Sequence, residues 1–153
     1  MDEGEHLAIV PMTPDHLVAV LKIEKANQLS PWSQQEFERS LNNPKRLAWV
    51  ATKGEQVIGF AVYGLVAREA ELLTISILAS EQSRGYGREL LATTMATLNA
   101  DELFLEVRES NQPARALYES FGFNEVGLRP NYYPSNSDRE DAIIYAIDLA
   151  LLG

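Results

Sequence analysis

The chain contains no cysteine and only two histidines. That excludes disulfides, thiolate metal sites and a cysteine nucleophile, and it leaves too few imidazoles for a metal cluster. No apolar run approaches the ~20 residues needed to cross a bilayer. The opening MDEGEHLAIV lacks the basic and long apolar regions of a secretory signal, so a cytoplasmic chain without membrane association is expected. Basic residues are scarce: 13 Lys and Arg against 22 Asp and Glu give a formal net charge of −9. This balance argues against direct nucleic-acid binding and suits either a cationic substrate or plain solubility. Neither G-x-x-x-x-G-K-[ST] nor a complete G-x-G-x-x-G occurs, so a nucleoside-triphosphatase and an ordinary Rossmann site both lose support. Chemistry is left to carboxylate, hydroxyl, phenol or backbone groups.

At 153 residues, 46% of them hydrophobic and 23% charged, the sequence is expected to form a single domain over 1–153 with one core. It is organised around residues 71–98, where an apolar strand breaks into a glycine turn and re-emerges with helical spacing. Gln82, Gly85 and Gly87 fit the pattern Q/R-x-x-G-x-G/A. A helix start leaves about four backbone N–H groups without intrahelical partners and carries the positive end of the helix dipole. Glycines there put no Cβ between those amides and an anion, and Arg84 and Arg88 add positive charge, which suits a diphosphate. The other reading is a turn that merely joins strand to helix.

Residues 6–10 form a strand candidate, and Thr13-Pro14 caps a helix running to about Asn27 with Leu17, Val20 and Leu21 on its apolar face. Pro31-Trp32-Ser33 opens a second helix, with Ser33 and Glu36 as a capping box and Trp32 either stapled on Phe37 or exposed to grip a substrate. Strands are expected at 46–52 and 56–65, joined as an antiparallel hairpin through Lys53-Gly54-Glu55, and at 71–79 as the central strand. After the helix bearing Leu91, Met95 and Leu98, the segment DELFLEVR alternates so that Glu106 lies on the face opposite Leu103, Leu105 and Val107. A carboxylate there is either functional, or exposed, or paired with Arg108. Asn111-Gln112-Pro113 starts a helix whose stripe of Ala114, Leu117, Tyr118 and Phe121 makes Tyr118 read as core packing when taken alone, and Gly122 ends it. Strands at 123–128 and 142–149 follow, separated by RPNYYPSNSDRED as a long loop of the kind that is often functional.

Taken together, PWS at 31–33, QSRGYGRELL at 82–91, LEVRESN at 105–111, ALYESFGF at 116–123, and RPNYYP followed by REDAIIY resemble the GCN5-related N-acetyltransferases (GNAT) over nearly the whole chain. Within them they resemble the ribosomal-protein alanine acetyltransferases, the RimI group. The resemblance implies an α/β (α+β) fold: a mixed, mostly antiparallel, twisted sheet of about seven strands flanked by about four helices. It also implies acetyl transfer from acetyl-CoA, with no metal, to the N-terminal alanine of a small-subunit ribosomal protein, number eighteen; whether the chain acts as a monomer is not legible in the sequence. Glu106 corresponds to the family's proton acceptor and Tyr118 to its proton donor. The backbone of Ile75, Ser76 and Ile77 would face the pantetheine arm. Gln82, Ser83, Arg84, Gly85, Tyr86, Gly87 and Arg88 would hold the diphosphate, and Asn111 and Tyr118 would lie near the reactive end. Pro31, Trp32, Ser33, Tyr132, Tyr133 and Asp138 would hold the peptide, with Glu140 and Asp141 adding negative charge. Competing expectations are an acetyltransferase for a small-molecule amine or a protein lysine, and a CoA-binding module without catalysis.

Overall fold

The computed structural model describes residues 6–134 and 139–152. Seven strands form one sheet in the order β1-β2-β3-β4-β5-β7-β6, and the chain divides into two compact units.

The first unit comprises the chain up to Gly64 together with Leu73–Leu98. Strand β1 (Leu7–Pro11) pairs antiparallel with β2 (Arg46–Lys53), and β2 pairs antiparallel with β3 (Gln56–Val66) around a turn at Gly54, whose φ is 60°. Helix α1 (Leu17–Asn27) follows a single 3₁₀ turn at Pro14–His16, and Thr13 caps that turn by donating its N–H to His16 Nδ1 at 2.9 Å. The 3₁₀ turn delays the expected helix by three residues. Helix α2 (Gln34–Leu41) starts on the expected capping box: Glu36 N–H donates to Ser33 Oγ at 3.2 Å and Ser33 N–H to Glu36 Oε1 at 3.1 Å. Leu17, Val20, Ile23, Phe37, Val50, Phe60 and Val62 form the core, with Trp32 packed against it.

Strand β4 (Glu69–Ile77) is the fourth of the seven, so its central place agrees with the sequence. It ends two residues early because Ala79–Glu81 forms a 3₁₀ turn, closed by Glu81 N–H donating to Leu78 O at 2.8 Å, while Leu78 N–H donates to Ile58 O at 2.7 Å. Helix α3 (Tyr86–Met95) is fixed to β3 through a buried bond of 2.6 Å between the Tyr63 and Thr94 hydroxyls. Gly59 lies under the end of β4. A Cβ there would sit 2.6 Å from Ile77 Cδ1 and 2.9 Å from Ser76 O. Gly59→Ala is therefore expected to cost about 1–3 kcal/mol by overpacking, seen as a lower urea midpoint at unchanged slope; an unchanged midpoint would refute the close approach.

The second unit comprises Leu65–Leu72 and the chain from Asn99 onward. Here the start of β4 pairs parallel with β5 (Glu102–Arg108), placing Ala70 beside Leu103, Glu71 beside Phe104 and Leu72 beside Leu105. Strand β7 (Arg139–Asp148) pairs antiparallel with β5, matching Leu103 with Ile147, Leu105 with Tyr145 and Val107 with Ile143. All six are buried, and α4 (Gln112–Phe121) lays Tyr118 on this face, 6.2 Å from the Tyr145 ring and 5.7 Å from Phe123.

The expected long loop at 129–141 is corrected. Strand β6 (Asn124–Pro134) continues into it as far as Pro134 and pairs antiparallel with β7, Tyr133 opposite Glu140 and Pro134 opposite Arg139. Two prolines and a polar composition suggest a loop, but the strand tolerates them because β6 is an edge strand and its ladder is irregular between Arg129 and Tyr133. Side chains replace the missing ladder bonds: Asn131 N–H donates to Asp141 Oδ1 at 2.8 Å, and Arg139 Nε donates to Asn131 O at 2.8 Å.

Candidate functional site

In the first unit the segment from Ile77 to α3 takes two left-handed conformations, one that its residue type favours and one that it does not. Ser83 takes φ 65° and Gly85 takes φ 84°, and Gly85 stands at the helix N-cap. Gly85 needs no side chain for conformational reasons. Gly87 is different: a Cβ there would meet nothing closer than Ile77 Cγ1 at 3.8 Å, so packing within the protein does not require glycine. The first helical bond is donated by Glu89 N–H to Gly85 O at 3.1 Å, which leaves the amides of Tyr86 and Gly87 before it aimed along the helix axis. These residues therefore suit an anion pressed against the backbone.

The side chains around the turn mostly hold it in place. Gln82 Nε2 donates back to Ile77 O at 2.9 Å, and Asn27 Nδ2 donates to the same oxygen at 2.9 Å and to Ser76 Oγ. The Ile77 carbonyl thus already accepts two bonds. Glu81 Oε1 takes Lys53 Nζ at 3.0 Å and lies 3.8 Å from Arg84 Nη1, while Lys53 sits 5.4 Å over the Tyr86 ring. One carboxylate thereby offsets part of the positive charge beside the turn.

The PWS segment is anchored from below. The Trp32 ring packs tilted against Phe37 with centroids 5.1 Å apart, as the staple reading expects, and the Trp32 backbone N–H donates to Glu24 Oε2 at 2.8 Å. Glu24 is 1% exposed, and burial pushes its carboxyl up against the opposing effect of that N–H bond. Pro31 and Ser33 are exposed, and the Ser33 hydroxyl is engaged by the helix cap.

In the second unit Glu106 lies on the face opposite the Leu103, Leu105 and Val107 core, as the alternation predicts. It is half-buried and does not depend on Arg108, which is paired with Glu140 at 3.1 Å. Its Oε1 is instead 3.2 Å from Arg129 Nε. Burial pushes the Glu106 carboxyl above its ordinary range; the Arg129 guanidinium pulls it down and the Glu71 carboxylate pushes it up. Tyr118 is buried on the other face, so carboxylate and phenol stand on opposite sides of this part of the sheet. Helix α4 is held there by Arg115 Nε donating to the Tyr145 hydroxyl at 3.2 Å, and by that hydroxyl donating to Glu119 Oε2 at 2.7 Å. Asn111 caps α4, its Oδ1 accepting Ala114 N–H at 3.2 Å.

Tyr132 is 44% exposed, with its ring 4.8 Å from Arg129 Cζ. Asp138 and the Tyr133 side chain lie outside the described residues. Glu140 and Asp141 are spent on bonds within the unit, to Arg108 and to the backbone of Ser110 and Asn131. Sequence reasoning missed Glu24, Asn27, Glu71 and Arg129. Glu24 had a readable signal, a charged residue seven positions after Leu17 on the buried stripe; the others are brought into place by strand and helix pairings with no local mark.

The chain matches the family model described as acetyltransferase (GNAT) family over residues 17–123. It is 39% identical over 138 residues to [ribosomal protein bS18]-alanine N-acetyltransferase of Escherichia coli K12, covering 88% of this chain and 93% of that one. It is 43% identical over 131 residues to the protein of the same name in Haemophilus influenzae, covering 82% and 87%. The crystal structure of the E. coli ribosomal-protein-S18-alanine N-acetyltransferase superposes with a TM-score of 0.89 at 37% identity over 94% of each chain. The seven-stranded mixed sheet, the glycine turn opening α3 and these likenesses together show that the chain belongs to the GNAT acetyltransferase family.

Proposed function

We propose that this enzyme transfers acetyl from acetyl-CoA to the N-terminal alanine amine of ribosomal protein bS18, acting as one domain over its two units in the cytoplasm. The observation that carries the chemistry is Glu106: a half-buried carboxylate in ion-pair contact with Arg129, on a strand whose other face is solid core. The substrate rests on the names of the relatives, which span nearly the whole chain.

GNAT acetyltransferases use acetyl-CoA, and the residues of the turn fit its diphosphate. The amides of 83–88 lie at a helix start, and Gly87 has no side chain where packing would admit one. Acetyl-CoA supplies a thioester, whose carbonyl carbon gains a bond to the amine nitrogen while the carbon–sulfur bond breaks and its electron pair leaves with sulfur. Ser83–Arg88 hold the diphosphate through backbone N–H groups. Because the Ile77 carbonyl is occupied, contacts to the pantetheine arm fall to the other backbone groups of Ile75–Ile77. Glu106 takes the proton the amine sheds, directly or through water. Tyr118, a phenol, offers a proton to the departing sulfur. Asn111 braces the start of α4 near that end.

The alanine amine is the easier nucleophile. Neutralising a free α-amine of ordinary value ~7.7–8.0 at pH 7 costs about 1 kcal/mol, against about 4–5 kcal/mol for a lysine near ~10.4. The peptide candidates are Pro31, Trp32 and Ser33 in the first unit and, in the second, Tyr132, Tyr133 and Asp138, with Trp32 and Tyr132 as the aromatic members of each set. The expected result with a peptide panel is acetylation of free Ala N-termini, weaker acetylation of Ser N-termini and none of blocked N-termini, with or without an internal lysine. Modification of a blocked, lysine-bearing peptide at a comparable rate would overturn the N-terminal assignment.

A further inference from the structure

We propose that Arg129 is a positioning residue for Glu106: its guanidinium, clamped between the Tyr132 ring and the Glu106 carboxylate, keeps that carboxylate ionised and in one orientation. The proposal rests on Glu106 being the base. The geometry points to it directly, with Arg129 Nε 3.2 Å from Glu106 Oε1 and Arg129 Cζ 4.8 Å from the centre of the Tyr132 ring.

The clamp is built by the irregular stretch of β6. A regular strand turns residues three apart to opposite faces, so Tyr132 would point away from Arg129. The ladder shift between Arg129 and Tyr133, with Asn131 at φ 54°, brings the ring under the guanidinium. Three bonds fix the irregularity: Asn131 N–H to Asp141 Oδ1, and Arg139 Nε and Nη2 to the carbonyls of Asn131 and Tyr132 at 2.8 and 3.1 Å. An exposed arginine pair in water is ordinarily loose, and the stacked ring limits that freedom.

By register the Glu106 face of this sheet carries Glu69 and Glu71 on β4, Glu102 and Arg108 on β5 itself, Glu140 and Asp148 on β7 and Arg129 on β6. Arg108 and Glu140 are paired with each other. Burial and Glu71 both favour a proton on Glu106, and Arg129 opposes them. A protonated Glu106 cannot accept the proton of the amine, and a carboxylate free to rotate presents its lone pairs in the required direction for only part of the time. Arg129 thus acts through Glu106, against both tendencies.

The test is a carboxyl ¹³C NMR titration of the intact chain with labelled glutamate, the Glu106 signal identified by its loss in Glu106→Gln. Arg129→Gln is expected to move the Glu106 midpoint to higher pH and Glu71→Gln to lower pH, while Arg129→Lys stays nearer the wild type. Turnover of the Ala peptide by Arg129→Gln should fall roughly tenfold near pH 7, the size of one charge-assisted hydrogen bond. Its acid limb should move to higher pH, with KM for acetyl-CoA unchanged and Arg129→Lys recovering part of the rate. A Glu106 midpoint identical in folded Arg129→Gln and wild type would overturn the proposal. Full activity in Glu106→Gln would instead sink the base assignment, which the Arg129 titration leaves untouched.

Discussion

Glu106→Gln is expected to lower turnover of an alanine-terminated peptide by ~10² to 10⁴ at neutral pH, the usual range for a positioned general base. The amide keeps the shape of the side chain and can still receive Arg129 Nε on its oxygen, so the loss should fall on kcat and leave KM for acetyl-CoA in place. The deficit should shrink as pH rises past the ordinary α-amine value of ~7.7–8.0, because the amine then arrives already neutral. The fold should survive. A carboxyl whose value is raised in the folded state stabilises the protein only at pH below its unfolded value, and that contribution is lost as pH rises through the folded value. At pH 7 a neutral glutamine therefore gives up no favourable ionisation linkage. A wild-type rate at pH 7 in the folded variant would make Glu106 a structural residue.

The parts of this molecule that sequence discloses are those governed by neighbours in the chain. The Ser33–Glu36 capping box, the Trp32–Phe37 staple, the Asn111 cap and the left-handed Gly122 at the end of α4 all depend on residues within five positions of each other, and all four form as read. The face of Glu106 was also readable, since two-residue alternation decides it. Its partner was not. Arg108 is close in sequence, whereas Arg129 reaches Glu106 because β6 lies beside β7 and β7 beside β5, a strand order that no local pattern carries. The same order turned the polar stretch 129–134 from an expected loop into an edge strand: prolines and asparagines mark loops statistically, but an edge strand needs only one set of ladder bonds, and Asp141 and Arg139 make good several of those missing. Gln82 shows the reverse limit. Its place in the motif was legible, whereas its bond back to Ile77 O emerges only once the turn is folded.

Gly87→Asp is expected to weaken acetyl-CoA binding by ~100-fold or more, about 2.7 kcal/mol, in a protein that remains folded. Two observations set it above Gly85→Asp as a test. Gly85 has φ 84°, a conformation that a side chain strains wherever it points, so a loss of binding there mixes backbone distortion with ligand repulsion. Gly87 is helical, and a Cβ on it would make only an ordinary 3.8 Å contact with Ile77 Cγ1. The protein thus tolerates a side chain at 87 for its own sake, and any large effect must come from what approaches from outside. An aspartate introduces both bulk and a negative charge at amides suited to a diphosphate, and the charge should account for most of the effect. Gly87→Ala separates the two, since it adds bulk alone and should weaken binding less, while Gly87→Asn adds nearly the bulk of aspartate without its charge. Calorimetric titration with acetyl-CoA reads the affinity and thermal unfolding reads the fold, and the effect of the aspartate should lessen as salt is raised. If folded Gly87→Asp binds acetyl-CoA like the wild type, the diphosphate lies elsewhere, and the glycine turn only joins β4 to α3.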